Sequence, residues 1–289
     1  MSNYGIEVRT DNGDLVLDDE NSVVVVAEEH SFNASYTVRS NTTNITTYTT
    51  TNWSRFGSDA LSYYFLNIAL DEEYEEPPII AMRAGYNVPL PTAKVYSYNP
   101  TNTGYYNRVL MYAPSPRSFE LIVCAAAVDA PSSALSVGSL DYGITITNSN
   151  DDSIFDSRWE SLIAVTDVPT YTTPSFSVST QYAISPVPGT SSQTIPSTPG
   201  AFLAPMMSGF VNYYYSSYND FDSGNLIVEG GGYYEPTIYQ SNATTVKETA
   251  IKIRPGQSGT STQRNTVYSG GVSNLTGSYL VIRYLNFGT

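Results

Sequence analysis

Few residues of this chain are equipped for chemistry. One histidine, His30, stands in AEEHSF beside Glu28 and Glu29, and one cysteine, Cys124, stands in FELIVCAAAV. A zinc centre needs several His or Cys ligands, and the chain offers at most one of each. A Ser-His-Asp relay would have to be built on the single histidine, and no G-x-S-x-G turn presents a serine. Neither phosphate-cradling glycine motif occurs, and EGGGYYEP (229–236) reads as a flexible turn. LDDEN (17–21), LDEEYEEPP (70–78) and YNDFDSGN (218–225) carry oxygens that could hold Ca²⁺. None follows the D-x-[DN]-x-[DN]-G loop, so they read as exposed acidic turns. A glycosidase carboxylate pair needs proximity only in space, and nothing in the sequence points to one. The expectation is a non-enzyme with no catalytic residue, metal ligand set or cofactor.

Tyrosine is where side-chain chemistry concentrates. FVNYYYSSYNDF places Tyr213, Tyr214, Tyr215 and Tyr218 within six positions of a chain with 25 tyrosines. Tyrosine combines rigid contact area with a hydroxyl at low entropic cost, which suits binding surfaces. Ordinary strand filler is the alternative reading, because neighbouring strand residues face opposite sides of a sheet. A contact surface for a protein or glycan is therefore sought at Tyr213, Tyr214, Tyr215, Tyr218 and Trp53, with Trp159 as a second sugar platform.

The elements that would position such a surface are strands. Charged residues are only 14% of the 289, while hydrophobic residues reach 41%. Thr and Tyr favour strands, and Asn, Gly, Pro and Ser favour the turns between them. Many short strands with frequent turn signals predict an all-β protein of β-sandwich or jelly-roll type. SDALSYYFLNIAL (58–70) is the best helix candidate, 31–56 reads as solvent-facing strands, and 171–200 as a long surface loop. A formal charge of −14 argues against a phosphate-tracking nucleic-acid surface and against anionic membranes. The opening MSNYGIEV lacks a signal-peptide pattern, and no apolar run is long enough to span a membrane. Cys124 reads as a small buried hydrophobe, with no partner for an intramolecular disulfide.

One stretch occurs twice. NYGIEVRTDNGDLVLDDE near the start aligns without a gap with DYGITITNSNDDSIFDSR in the middle: Tyr4 with Tyr142, Gly5 with Gly143, Asn12 with Asn150, Asp18 with Asp156. Period-two alternation followed by Asn-Gly predicts a hairpin, with NSNDD making the second turn. SVVVVAEE and SLIAVTDV follow as more fully buried strands, with Val24 aligned to Leu162 and Val25 to Ile163. PPIIAMRAG (77–85) has a counterpart in AFLAPMMSG (201–209), and SFELIVCAAA from Ser118 in SYLVIRYLN from Ser278. The chain therefore reads as two tandem domains related by internal duplication, 1–136 and 139–289. If they are independent, each should fold alone; if the hairpins cross-pair, neither will melt cooperatively.

YGIEVRTDNGDLVLDD and YGITITNSNDDSIFDSR resemble the opening hairpin of small β-rich virion proteins encoded among the tail and fibre genes of tailed bacteriophages. The resemblance covers under a fifth of the chain, and members of that group usually carry the motif once. It implies a structural role without catalytic residues, made in the host cytoplasm and assembled into the virion as a symmetric oligomer. The implied partners are other virion proteins, copies of the chain, and a host-surface receptor or glycan. A tail location is favoured over a capsid decoration or head spike. The rival from another class is a stand-alone, lectin-like glycan-binding β-sandwich.

Overall fold

The structure is a computed structural model. It describes residues 22–39, 49–55, 64–98, 104–113, 115–138, 142–166, 168–170, 200–205, 237–247 and 278–285 with their side chains. For 8–9, 15–17, 56, 167, 171–173, 176–178, 192–194, 206, 211–219, 226–236, 248–253, 257–260, 266–267, 270–272 and 275–277 it describes the backbone.

The first half opens on a hairpin, β1 (Val8–Arg9) and β2 (Leu15–Leu17). It continues through β3 (Val24–Phe32), β4 (Tyr36–Arg39), β5 (Trp53–Phe56), β6 (Tyr64–Tyr74), β7 (Ile79–Ala84), β8 (Thr92–Tyr96), β9 (Tyr106–Ala113) and β10 (Phe119–Ala126). A 3-10 turn at Ala127–Asp129 leads out of it. The second half opens on the hairpin β11 (Thr145–Thr147) and β12 (Ser153–Asp156). There follow β13 (Ile163–Asp167), β14 (Thr170–Thr173), β15 (Phe176–Val178), β16 (Ser192–Thr194), β17 (Phe202–Met206) and β18 (Val211–Asn219). The last are β19 (Leu226–Asn242), β20 (Thr245–Ile253), β21 (Gln257–Thr260), β22 (Thr266–Val267), β23 (Gly270–Val272) and β24 (Leu275–Tyr284). The protein is all-β, as its composition predicts, with no α-helix among the described residues.

Three local expectations are overturned. The stretch 171–200, expected as a long surface loop, holds most of β14 and all of β15 and β16, each paired with a later strand that the local sequence does not reveal. The helix candidate at 58–70 holds instead the start of β6, where Leu66, Ile68 and Leu70 face the main core while Phe65 and Asn67 are buried on the other side. Both faces of that strand are covered, so its apolar residues look continuous and mimic a buried helix. EGGGYYEP is not a turn but the interior of the long strand β19, which pairs along its length with β18 and β20. Glycine weakens a strand without forbidding it, and two neighbouring strands hold this run extended.

The central sheet runs β13-β24-β17-β7-β10-β3, all antiparallel, with β14 beside β24. It curls until its edge strands meet: Val25 bridges Leu162, and the Val26 N–H donates to the Ser161 carbonyl at 2.9 Å. The enclosed face is lined from every strand, by Val26, Ile79, Ala81, Ile122, Cys124, Phe202, Ala204, Leu280, Ile282 and Ile163. Each fully buried aliphatic side chain there contributes about 1.5–3 kcal/mol relative to exposure.

Outside this barrel lie two larger sheets, besides the two-stranded pairs β1-β2, β11-β12 and β15-β23. In the first half β4-β5-β6-β9-β8 packs Leu66, Ile68, Val109 and Met111 against Met82, Leu121 and Val123. In the second half β16-β20-β19-β18-β22 brings Ile238 and Val246 into the same core as Leu203, Tyr279 and Val281. The segment before β8 stitches the halves together. Asn87 N–H donates to Gln240 O at 2.7 Å, Leu90 N–H to Ile238 O at 2.9 Å, and the buried Thr237 hydroxyl to Leu90 O at 2.8 Å.

Candidate functional site

The repeated hairpins share one register. Val8 pairs with Leu17 and Arg9 with Leu15; Ile146 pairs with Phe155 and Thr147 with Ser153, with the ladder breaking at the same place in each. Tyr4, Gly5, Asn12 and Asp18 lie outside the described residues. In the second hairpin the turn is built by side chains that first suggest metal ligands. The Asn148 side-chain oxygen Oδ1 accepts from the Asn150 and Asp152 N–H groups, both at 2.9 Å. Asp151 takes the left-handed conformation, φ 66°, which Asn and Asp tolerate best after glycine.

Asp156 closes the base of that hairpin. Its carboxylate accepts from the Thr145 hydroxyl at 2.8 Å and from Arg158 through Nε at 2.9 Å, a terminal guanidinium nitrogen at 2.6 Å and the backbone N–H at 2.9 Å. The Arg158 hydrogen bonds, against a smaller opposing effect of burial, hold Asp156 down to about 2. Gly143 makes the arrangement possible: a Cβ there would lie 2.5 Å from Arg158 Cγ and 2.6 Å from its Cδ. Gly143, Asp156 and Arg158 thus form one clamp across the motif, and the carboxylate has no capacity left for a metal. Arg158 is the residue that sequence reasoning overlooked. The signal was available in the first copy, which writes Glu7 and Glu20 where the second has Thr145 and Arg158.

What the clamp displays is apolar. Tyr142 is 91% exposed and Ile144 65% exposed, while Ile146, inside β11, is buried. The apolar residues of this segment extend beyond its buried part.

Glu28, His30 and Tyr74 form a cluster of titratable groups. β6 leaves its ladder with β9 between Ala69 and Tyr74, and Glu28 caps the gap. Its carboxylate accepts from the Asp71 N–H at 3.0 Å, the Glu72 N–H at 3.2 Å and the Tyr74 hydroxyl at 2.7 Å, and stands 2.9 Å from His30 Nε2. Burial works to raise its pKa, but His30, Asp71 N–H, Tyr74 and Glu72 N–H together outweigh burial and hold it below the ordinary value. Every lone pair is engaged, and the cluster braces the barrel against the outer sheet.

Trp53 is not a sugar platform. It is 0% exposed, packs on Phe119, and donates its indole N–H to Arg117 O at 2.8 Å. Trp159, at 5% exposed, is likewise core, packed with Val25 and Leu162. An amphipathic ring whose N–H finds a carbonyl inside is as content in a core as on a surface. Tyr213, Tyr214 and Tyr215 lie on β18 opposite Gly232, Gly231 and Gly230, and Tyr218 lies opposite Ile227; their side chains are outside the described residues. The acidic stretches 17–21 and 218–225 fall mostly outside them as well, and no metal-holding group of carboxylates, His and Cys is found among the described residues. Cys124 is buried in the barrel, and burial pushes its thiol up to about 12, which makes it inert.

A cavity of about 250 Å³ opens where β3 and β13 meet, lined by Glu29, Glu160, Ser133, Ser136, Ser161 and Tyr284. Glu29 accepts from the Tyr284 hydroxyl across it. No helix among the described residues is long and apolar enough to cross a membrane. A scan of protein-family models finds no match, and searches of curated proteins and of solved structures find none either.

Proposed function

We propose that the chain is a non-enzymatic structural protein of a bacteriophage virion, tail-associated and assembled as a symmetric oligomer through its hairpins. The observation that carries this reading is the overhang of Tyr142 and Ile144. A hairpin locked internally by Gly143, Asp156 and Arg158 presents large apolar groups beyond its own core, as a contact awaiting a neighbouring subunit would. The stretch YGITIT (142–147), which ends in β11, carries no charge and suits burial in such a contact. The test is made on particles. Mass spectrometry and antibody labelling of purified virions should find the chain, and Tyr142→Ser with Ile144→Ser should abolish incorporation while leaving the melting temperature unchanged. Particles that lack the wild-type chain, or that take up the double variant normally, refute the proposal.

The cavity at the β3–β13 junction supports a second reading, a glycan-binding module. Carboxylates, hydroxyls and a tyrosine ring are the groups that recognise vicinal sugar hydroxyls, and no Lys or Arg stands in this lining. A glycan array probed with the isolated protein tests it: a signal lost in Glu160→Gln supports this reading, and a blank array removes it.

A further inference from the structure

The strand order of the central sheet is a palindrome. Exchanging β3 with β13, β10 with β24 and β7 with β17 returns the same sheet. The ladders fix which residues correspond. Matching Ser118 to Ser278, as the two SFELIV/SYLVIR stretches suggest, sets Leu121 on Val281 and Cys124 on Tyr284. Leu121 pairs with Met82 and Val281 with Leu203, so Met82 corresponds to Leu203. Cys124 pairs with Val26 and Tyr284 with Ile163, so Val26 corresponds to Ile163 and Val25 to Leu162.

The two strand-to-strand bridges that join the halves within the central sheet were not used in that assignment. They are Leu203 with Met82 on one side of the barrel and Val25 with Leu162 on the other. Each joins a residue to its own counterpart. Only pairs lying on a two-fold axis do so, and an axis through a barrel must cross its wall twice. Burial follows the same rule: Met82 and Leu203 share the main core, Val26 and Ile163 the barrel core, Val25 and Leu162 the small cluster around Trp159.

We infer that the barrel is a two-fold dimer fused into one chain. The open edges of each three-stranded half-barrel are an interaction surface, and the partner they fit is another half-barrel of the same build, supplied here by the other half of the chain. A self-complementary patch of this kind is the geometry of an isologous dimer interface. Neither half closes the Val26, Ile122, Ile282 core alone, so the halves fold and unfold together.

The experiment uses the full chain and its two tryptophans, Trp53 reporting the first half and Trp159 the second. Urea unfolding of Trp159→Phe and of Trp53→Phe is followed by fluorescence, alone and with the seam substitution Leu203→Ser. The seam change should lower both midpoints together, by about 1 M urea. A Trp53 midpoint that stays put while the Trp159 midpoint falls overturns the inference. Calorimetry of the unmodified chain gives an independent reading. One transition with equal calorimetric and van't Hoff enthalpies supports a fused dimer, and two resolved transitions overturn it.

Discussion

Replacing Glu28 with glutamine keeps the side chain's shape and turns one of its two acceptors into a donor. Oε1 serves the Glu72 N–H and the Tyr74 hydroxyl, and Oε2 serves the Asp71 N–H beside His30. Whichever way the amide is placed, its NH₂ faces one of those two backbone N–H groups. Tyr74 or His30 can turn to accept; the backbone cannot. An unpaired buried donor costs about 1–3 kcal/mol, and the surviving bonds lose their charge assistance. Asp71 and Glu72 are themselves exposed, so water reaches part of the gap and places the loss near the low end. We expect about 2 kcal/mol at pH 7, or about 4 °C in melting temperature for a chain of this size.

The pH dependence provides the sharper check. Glu28 has a folded pKa below its unfolded value, so its contribution is complete above the unfolded pKa and disappears as pH falls through the folded one. The deficit of Glu28→Gln should therefore shrink from pH 5 downward and vanish in strong acid. Urea titrations of both proteins at pH 7, 5, 4 and 3 decide the matter. A deficit below about 0.5 kcal/mol at pH 7, within the scatter of ordinary surface substitutions, refutes the brace. So does a deficit that persists undiminished at the lowest pH.

The remaining expectations are separate. Gly143→Ala should push Arg158 off Asp156, so Gly143→Ala combined with Arg158→Ala should melt no lower than Arg158→Ala alone; additive losses would break the clamp argument. Asp156, held at about 2, loses its stabilising ionised form only as pH falls from the ordinary carboxylate range toward that value, and Asp156→Asn should flatten that part of the acid melting curve. The Cys124 thiol should react with a disulfide reagent only at the rate of global unfolding, and fast labelling under native conditions would contradict its burial in the barrel. Thr237→Val deletes the hydrogen bond to Leu90 that ties β19 to the first half, and should cost about 1 kcal/mol in urea unfolding.

Several features were legible because they are written locally. The period-two pattern of YGITIT and the turn chemistry of NSNDD specify β11, β12 and their connection without help from elsewhere. The valine run of β3 and the apolar run of β10 read as buried strands and are buried strands. The likeness of the runs from Ser118 and Ser278 was visible in sequence and is the alignment on which the proposed two-fold relation is built. The proposed two-fold relation uses other offsets for two runs: it sets Val25 rather than Val24 against Leu162, and Met82 against Leu203, three residues earlier than matching 77–85 with 201–209 gives. Short apolar runs align acceptably at several offsets, and only cross-strand pairing selects one. A one-residue slip exchanges the two faces of a strand, which is why it matters here.

The candidate site divides along the same line. Gly143 and Asp156 were picked out from the repeat, but as hairpin formers; that they need Arg158 follows only from a side chain lying across a missing Cβ. Trp53 was assigned to the surface because sequence cannot tell an aromatic ring that packs on Phe119 from one that faces solvent. Glu28 was noted only as a neighbour of the single histidine, since its partners Asp71, Glu72 and Tyr74 are more than forty positions away.

By itself the sequence determined that this chain is all-β, that two hairpins recur in it, and which runs form buried strands, because alternation and turn chemistry act between neighbours. The tertiary structure alone decided that those strands close into one barrel, with Met82 on Leu203 and Val25 on Leu162. Pairing between distant strands is chosen by the core that they enclose together, and no local pattern encodes it.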